Sequence, residues 1–180
     1  QSIQVITRKV IEEQRTFRLQ DSLQNVSGIN ATESAASLYD SLIIRGFDAT
    51  SRSYFRNGLL DPFAQFTASD TYNVRRLEVL KGPAAVLYGQ GDPGGVINIV
   101  TNKPFPNAAY SANVTLGNFH FYRSELDATG PLNAGRTVLY RLNVAGQKAG
   151  SFMDYANRDM AAIAPSITWL MSSRTTLTVE

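Results

Sequence analysis

The residue pattern with the clearest chemical precedent is Gly89-Gln90-Gly91-Asp92-Pro93-Gly94, which matches the dinucleotide-binding string G-x-G-x-x-G. That string cradles a pyrophosphate only when a strand precedes it and a helix follows, because the phosphate rests on the helix N-terminus. Here the order is reversed. Residues 77–81 read as a strand before the loop, residues 83–87 as one helical turn closed by Gly89, and residues 96–101 as a β-branched strand after it. No G-x-x-x-x-G-K-[ST] string is present either, so the loop reads as a structural turn and not as a nucleotide site. Other chemistry is thin. The sequence has no cysteine, which excludes disulfides, thiolate metal sites and cysteine nucleophiles. A single histidine, His120, leaves little for general acid–base work, and the carboxylates do not cluster. A net charge of +2 with interspersed acids and bases gives no nucleic-acid footprint.

The elements around the glycine loop follow from local chemistry. Leu77, Val79 and the stem of Lys81 alternate with Glu78 and Leu80, and Gly82-Pro83 stops that strand. Asp92-Pro93-Gly94-Gly95 fits a type II turn, with Pro93 supplying a φ near −65° and Gly94 the positive φ. Upstream, Ser2–Thr7 alternates as a short strand and residues 8–17 make a charged surface helix. Residues 19–26 make a second helix, with Leu19, Leu23 and Val26 on one face. Residues 29–38 are small and polar, a loop or irregular strand. Residues 41–47 read as one strand with an apolar centre, residues 48–52 as a polar turn, and residues 54–57 as extended up to the turn signal Asn57-Gly58. Residues 60–72 have no period; Phe63 and Phe66 there either serve a site or cover the core.

After Pro104 the pattern becomes long, strict alternation. Tyr110, Ala112, Val114 and Leu116 oppose Ser111, Asn113 and Thr115. Tyr122, Ser124, Leu126 and Ala128 oppose Arg123, Glu125, Asp127 and Thr129. Val138, Tyr140, Leu142 and Val144 oppose Arg141, Asn143 and Gln147. Ala161, Ile163, Ile167 and Trp169 oppose Ala162, Ser166 and Thr168, and Leu177 and Val179 begin a fifth strand. Strands of this length with an apolar face and Tyr or Trp near their ends suit a transmembrane barrel, although a soluble β-sandwich alternates in the same way. The connections fall at residues 117–121, 130–135, 146–157 and 171–173. There is no apolar run long enough for a membrane helix.

The string from Leu77 to Pro104, L-E-V-L-K-G-P-A-A-V-L-Y-G-Q-G-D-P-G-G-V-I-N-I-V-T-N-K-P, resembles the plug signature of TonB-dependent outer-membrane receptors. Two earlier pieces, Leu42-Ile43-Ile44-Arg45-Gly46-Phe47 and the opening Gln1-Ser2-Ile3-Gln4-Val5-Ile6-Thr7, agree with the siderophore-receptor branch, the ferrichrome and hydroxamate type above all. The resemblance implies an α+β plug domain over residues 1–105. Antiparallel transmembrane β-barrel strands then run over residues 106–180 as a fragment of a roughly 22-stranded barrel. It implies a bacterial outer-membrane receptor and transporter, not an enzyme, that takes up a ferric siderophore using energy from the TonB complex. The cargo brings its own iron ligands, so no covalently bound cofactor and no protein metal site are implied. Outer-membrane lipid is the other partner. In that context the sequons at Asn25, Asn30 and Asn113 are chance, and a TonB box is expected upstream of Gln1.

By the same resemblance, Tyr39, Ser51 and Arg52 reach the ligand, with Tyr54, Phe63 and Phe66 as further candidates. Arg45 and Lys81 are the basic residues that pair with barrel-wall carboxylates. Arg76 and Glu78 join them as plug–barrel contacts, or form a local network with Arg75. The alternatives are a TonB-dependent receptor for haem, cobalamin or a glycan, and a soluble β-rich protein.

Overall fold

A computed structural model describes residues 2–32, 39–82, 92–151 and 157–180. The chain divides into two compact units, Gln1–Thr101 and Asn102–Glu180. In the first, β1 (Ser2–Thr7) leads into α1 (Arg8–Gln14), which Arg15 ends in the left-handed conformation, and then α2 (Leu19–Ser22). The strands that follow are β2 (Ile29–Thr32), β3 (Ser41–Ile44), β4 (Phe47–Asp48), β5 (Tyr54–Arg56), β6 (Leu59–Leu60), β7 (Val74–Lys81) and β8 (Gly95–Thr101).

One sheet has the order β1-β7-β8-β5-β6, and a second the order β2-β3-β4. Among the described strands only β5 and β8 run parallel. β8 sits at the centre and is buried on both faces, which accounts for its near-continuous Val96-Ile97-Asn98-Ile99 run. One face packs Leu77, Val79, Ile97 and Ile99 with Ile11, Leu19, Leu23 and Val26 from the helical segment; the other buries Phe55, Leu80 and Val96.

Several sequence expectations change. The predicted helix over 19–26 is one turn of α-helix followed by further turns, yet Leu19, Leu23 and Val26 are buried as their spacing required. The predicted single strand over 41–47 is a hairpin, broken at Arg45 (φ 54°) and Gly46 (φ 86°), the two positive dihedrals of a type I′ turn. Asp92–Gly95 is a turn closed by the Gly95 amide on the Asp92 carbonyl (3.1 Å), but the positive φ (141°) belongs to Gly95 and not to Gly94, so it is not the expected type II turn. The expected helical turn over 83–87, with Gly89, lies outside the described residues. Tyr54, a candidate ligand contact, is fully buried in the core.

The Tyr54 hydroxyl has no hydrogen-bond partner among the described residues. Burial, reinforced by the Asp40 charge, pushes the phenol pKa far above its usual value. Tyr54→Phe should therefore raise plug stability by about 1 kcal/mol, since an unsatisfied buried hydroxyl costs that much or more. The check is the urea midpoint of amide protection across the β5 and β8 strands, which should rise and should not fall.

The second unit is a five-stranded antiparallel sheet in sequence order: β9 (Ala109–Gly117), β10 (Phe121–Pro131), β11 (Val138–Ala149), β12 (Arg158–Leu170) and β13 (Thr176–Val179). The register joins the sequence half-faces into one. Tyr110, Leu126, Val144 and Ile163 share a side, as do Tyr140, Ile167 and Val179. That apolar side is the exposed one, with Tyr110, Val114, Leu126, Ile163 and Trp169 each at least 47% accessible, whereas Arg123, Thr129, Asn143, Ser166 and Thr168 on the other side are buried. β11 runs on to Ala149, so the connection expected from residue 146 begins only at 150.

The segment before β9 belongs to this unit. The Phe105 amide donates to Thr129 Oγ1 (2.9 Å), and Thr129 in turn donates to the Tyr140 carbonyl (2.9 Å). Arg141, paired with Asp127 through two hydrogen bonds, donates to the Lys103 carbonyl (3.0 Å) and lies over the Phe105 ring.

Candidate functional site

The expected ligand residues occupy three segments of the first unit. Phe63 caps and Phe66 ends a 3-10 turn, Ala64–Phe66, and they are 74% and 66% exposed, so they do not cover the core. Asp61 anchors the start of this turn: it pairs with Arg56 (3.0 Å), accepts the Phe63 amide (3.3 Å), and donates its own amide to the Tyr54 carbonyl. Tyr39 is 39% exposed, and the next residue, Asp40, joins its segment to this aromatic loop. The Asp40 amide donates to the Thr67 carbonyl, and its carboxylate accepts the Ser69 amide (2.9 Å). Below the surface Asp40 is fully buried against Arg18 (3.1 Å).

Half-buried Ser51 and exposed Arg52 lie in the polar turn between β4 and β5. This turn is held by Asp92, whose role sequence reading missed. Asp92 Oδ2 accepts the Thr50 amide (3.0 Å), the Thr50 hydroxyl (2.7 Å) and the Ser53 hydroxyl (2.6 Å). Burial alone would raise the Asp92 pKa, but these hydrogen bonds and the Arg52 charge outweigh it and hold the carboxyl below the usual carboxylate range. The only sequence signal was an aspartate opening a D-P-G-G turn, and its partners lie some forty residues upstream.

A lowered folded-state pKa stabilises the turn fully above the ordinary carboxylate range, and that stability is lost as pH falls through the lowered value. Asp92→Ala should cost about 1–3 kcal/mol at neutral pH, the range for hydrogen bonds to a charged acceptor. It should also flatten the acid limb of the stability profile. Urea unfolding at pH 7 and pH 3 checks both, and an undiminished acid limb in the variant would count against the assignment.

Arg45 is exposed, its side chain running beside Gly28 and Gly82, and Lys81 donates to Gln4 (3.0 Å) and Ser27 (2.9 Å). Neither forms an ion pair among the described residues. Arg76 and Glu78 do form a local network: Glu78 accepts from Arg76 (2.7 Å) and from buried Asn98 (2.8 Å), which accepts the Gly58 amide. No cluster of three His, Cys, Asp or Glu that could hold a metal occurs among the described residues, and no helix is long and apolar enough to cross a membrane.

The family model described as TonB-dependent Receptor Plug Domain matches residues 1–96. The chain belongs to the TonB-dependent outer-membrane receptors. The ferrioxamine B receptor of Salmonella typhimurium is 30% identical over 98% of the chain, and the catecholate siderophore receptor Fiu of Escherichia coli 32% over 92%. The metal-pseudopaline receptor CntO of Pseudomonas aeruginosa is 42% identical over 63% of the chain. This receptor chain spans 26%, 22% and 16% of those three proteins. Among solved structures, P. aeruginosa FpvA bound to a heterologous pyoverdine superposes with a TM-score of 0.90 at 29% identity, covering 99% of this chain and 24% of that one. These relatives are receptors and transporters, not enzymes. Hydroxamate-type cargo, favoured by the sequence resemblance, is not singled out, since relatives named for different siderophores match at similar identity.

Proposed function

We propose that this chain forms the plug and first barrel strands of a transporter that takes up a ferric siderophore across the outer membrane, energised by the TonB complex. The relatives named for ferrioxamine, catecholate siderophores and pyoverdine support this cargo class. What supports the ligand site is that Arg52, Phe63, Phe66 and Tyr39 are exposed side chains on anchored turns, residue types suited to an anionic metal complex. Ser51 belongs with Arg52 on the turn that Asp92 holds. Arg45 and Lys81 fit partners on the barrel wall, because neither meets a carboxylate among the described residues.

In the full-length receptor, Arg52→Ala should weaken ferric-siderophore binding by about 1–3 kcal/mol, or roughly 5- to 150-fold in Kd. Tryptophan-quenching titrations with a panel of ferric siderophores measure this. Unchanged affinity throughout would remove Arg52 from the site. The identity to the metal-pseudopaline receptor favours a second reading, a cargo of the metal–pseudopaline kind. Uptake assays with labelled ferric siderophores and with labelled metal–pseudopaline separate the two.

A further inference from the structure

The exposed apolar face of the second sheet ends, at one rim, on a pair of basic turns. Ala161, Ile163, Ile167 and Trp169 share that face along β12. From Ala161 to Trp169 the strand runs roughly 26 Å at about 3.3 Å per residue, on the scale of the apolar band of an outer-membrane barrel. At the Trp169 end the face closes in a lateral row. The Leu132 amide donates to the Val138 carbonyl (2.8 Å), and Val138, Trp169 and Leu177 are successive register partners. Leu132, Trp169 and Leu177 are exposed. Immediately beyond this row come two turns, 133–137 and 171–175, each with one arginine and no carboxylate. The Leu170 amide donates to the Thr137 carbonyl (2.7 Å), so the turns are neighbours. Arg136 stands on the β11 side of β12 and Arg174 on the β13 side, roughly 10 Å apart at about 4.8 Å per strand.

Both turns are held by their own hydrogen bonds. Asn133 Oδ1 accepts the Thr137 amide (2.9 Å) and the Val138 amide (3.0 Å). Its carbonyl accepts the Arg136 amide (3.0 Å), which fixes Arg136 at a φ of 51°. In the other turn the Met171 amide donates to the Thr175 carbonyl (3.0 Å) and the Arg174 amide to Ser172 Oγ (3.2 Å). Both arginines are exposed, and among the described residues neither guanidinium has a hydrogen bond or an ion pair. The carboxylates nearest to them in sequence are engaged elsewhere, Asp127 with Arg141 and Glu180 with Lys103. Periplasmic connections of bacterial barrels are short, and the longer ones face outward. The longest connection here, 150–157, joins the opposite ends of β11 and β12, so these two turns face the periplasmic leaflet, which is phospholipid. We propose that they bind the head group of an anionic phospholipid, phosphatidylglycerol or cardiolipin, with phosphate on Arg136 and Arg174 and acyl chains along Leu132, Trp169 and Leu177. A guanidinium meets two phosphate oxygens at once. The ammonium of phosphatidylethanolamine would bring a third cation to turns that hold no carboxylate. This assignment rests on the membrane-spanning reading of the sheet and is independent of the cargo.

The test is native mass spectrometry of the delipidated full-length receptor in detergent, titrated with phosphatidylglycerol, cardiolipin and phosphatidylethanolamine of matched acyl chains. Each anionic lipid should be retained at least about five-fold better than phosphatidylethanolamine. Arg136→Gln combined with Arg174→Gln should erase that preference; both side chains are exposed and unpaired, so the barrel should fold. Lys148→Gln, at the far end of β11, removes one positive charge as well and should leave the preference intact. Equal retention of the three lipids by the unmodified receptor would overturn the proposal without recourse to any variant. So would a preference that survives the double substitution, or one that Lys148→Gln erases as fully. Ferric-siderophore binding measured on the same samples keeps the two readings apart, since a receptor that binds its cargo without any lipid preference refutes this site alone.

Discussion

Replacing Gly94 by alanine should leave the central sheet of the plug unable to close. A Cβ at this position would stand 2.3 Å from the Ile44 carbonyl oxygen and 3.2 Å from the Cβ atoms of Ile44 and Phe47. The obstacle is backbone on the inner side, so no rotamer change can relieve it. Gly95 is worse placed: its Cβ would lie 2.2 Å from the Leu80 carbonyl oxygen, and its φ of 141° is denied to other residues. These contacts are where the β3–β4 hairpin and the end of β7 meet the start of β8, whose residues are buried on both faces. Either substitution should cost more than about 4 kcal/mol, among the largest single-residue effects. Hydrogen exchange of the detergent-solubilised chain gives the readout: amides at Ile97 and Ile99 should lose protection while those of β10 and β11 keep theirs. Full protection of β8 in Gly94→Ala would show that the hairpin can move aside.

Asp40→Ala should be nearly as damaging, for an electrostatic reason. The Asp40 side chain is fully buried, and its partner Arg18 is only 12% exposed. Removing the carboxylate strands a guanidinium whose Nε already has no hydrogen-bond partner among the described residues, and it takes away the acceptor of the Ser69 amide. Breaking a buried pair from one side costs about 3–5 kcal/mol, whereas replacing both members with apolar residues is often close to neutral. Asp40→Ala should therefore drop the urea midpoint of plug unfolding sharply, and Arg18→Met combined with Asp40→Leu should recover much of it. The single variant should also free the Tyr39 and Phe66 segments, which Asp40 holds together, and so weaken ligand binding even under conditions where the plug stays folded. If the single and double variants were equally unstable, the damage would lie in packing and not in the stranded charge.

The second half of the fold was legible in the sequence because side-chain direction in a strand has period two. Once Tyr110, Leu126, Val144 and Ile167 alternate with polar neighbours, hairpin pairing of successive strands can join them only into one face. The burial of Leu19, Leu23 and Val26 was legible for the same kind of reason, since i, i+4, i+7 spacing makes a stripe even where regular helix lasts a single turn. The family was legible because its glycine-loop string is long and ordered.

What the sequence alone could not determine depends on partners remote in the chain. Tyr54 follows a polar turn and reads as surface, but parallel pairing of β5 with β8 places it opposite Ile97 in the middle of the core. Arg45 gives no local warning of a positive φ; the return of β4 along β3 imposes it. Gly94 and Gly95 looked like turn residues of a known type, and only the approach of Ile44 and Leu80 shows that both are needed for clearance. Pro104-Phe105-Pro106-Asn107 has no regular secondary structure, as its two prolines lead one to expect, but the hold of Thr129 and Arg141 on the 103–105 backbone could not be read locally. In each case the deciding atom is a carbonyl, hydroxyl or guanidinium that local sequence cannot place, because its position is set by long-range strand pairing and not by the propensities of its neighbours.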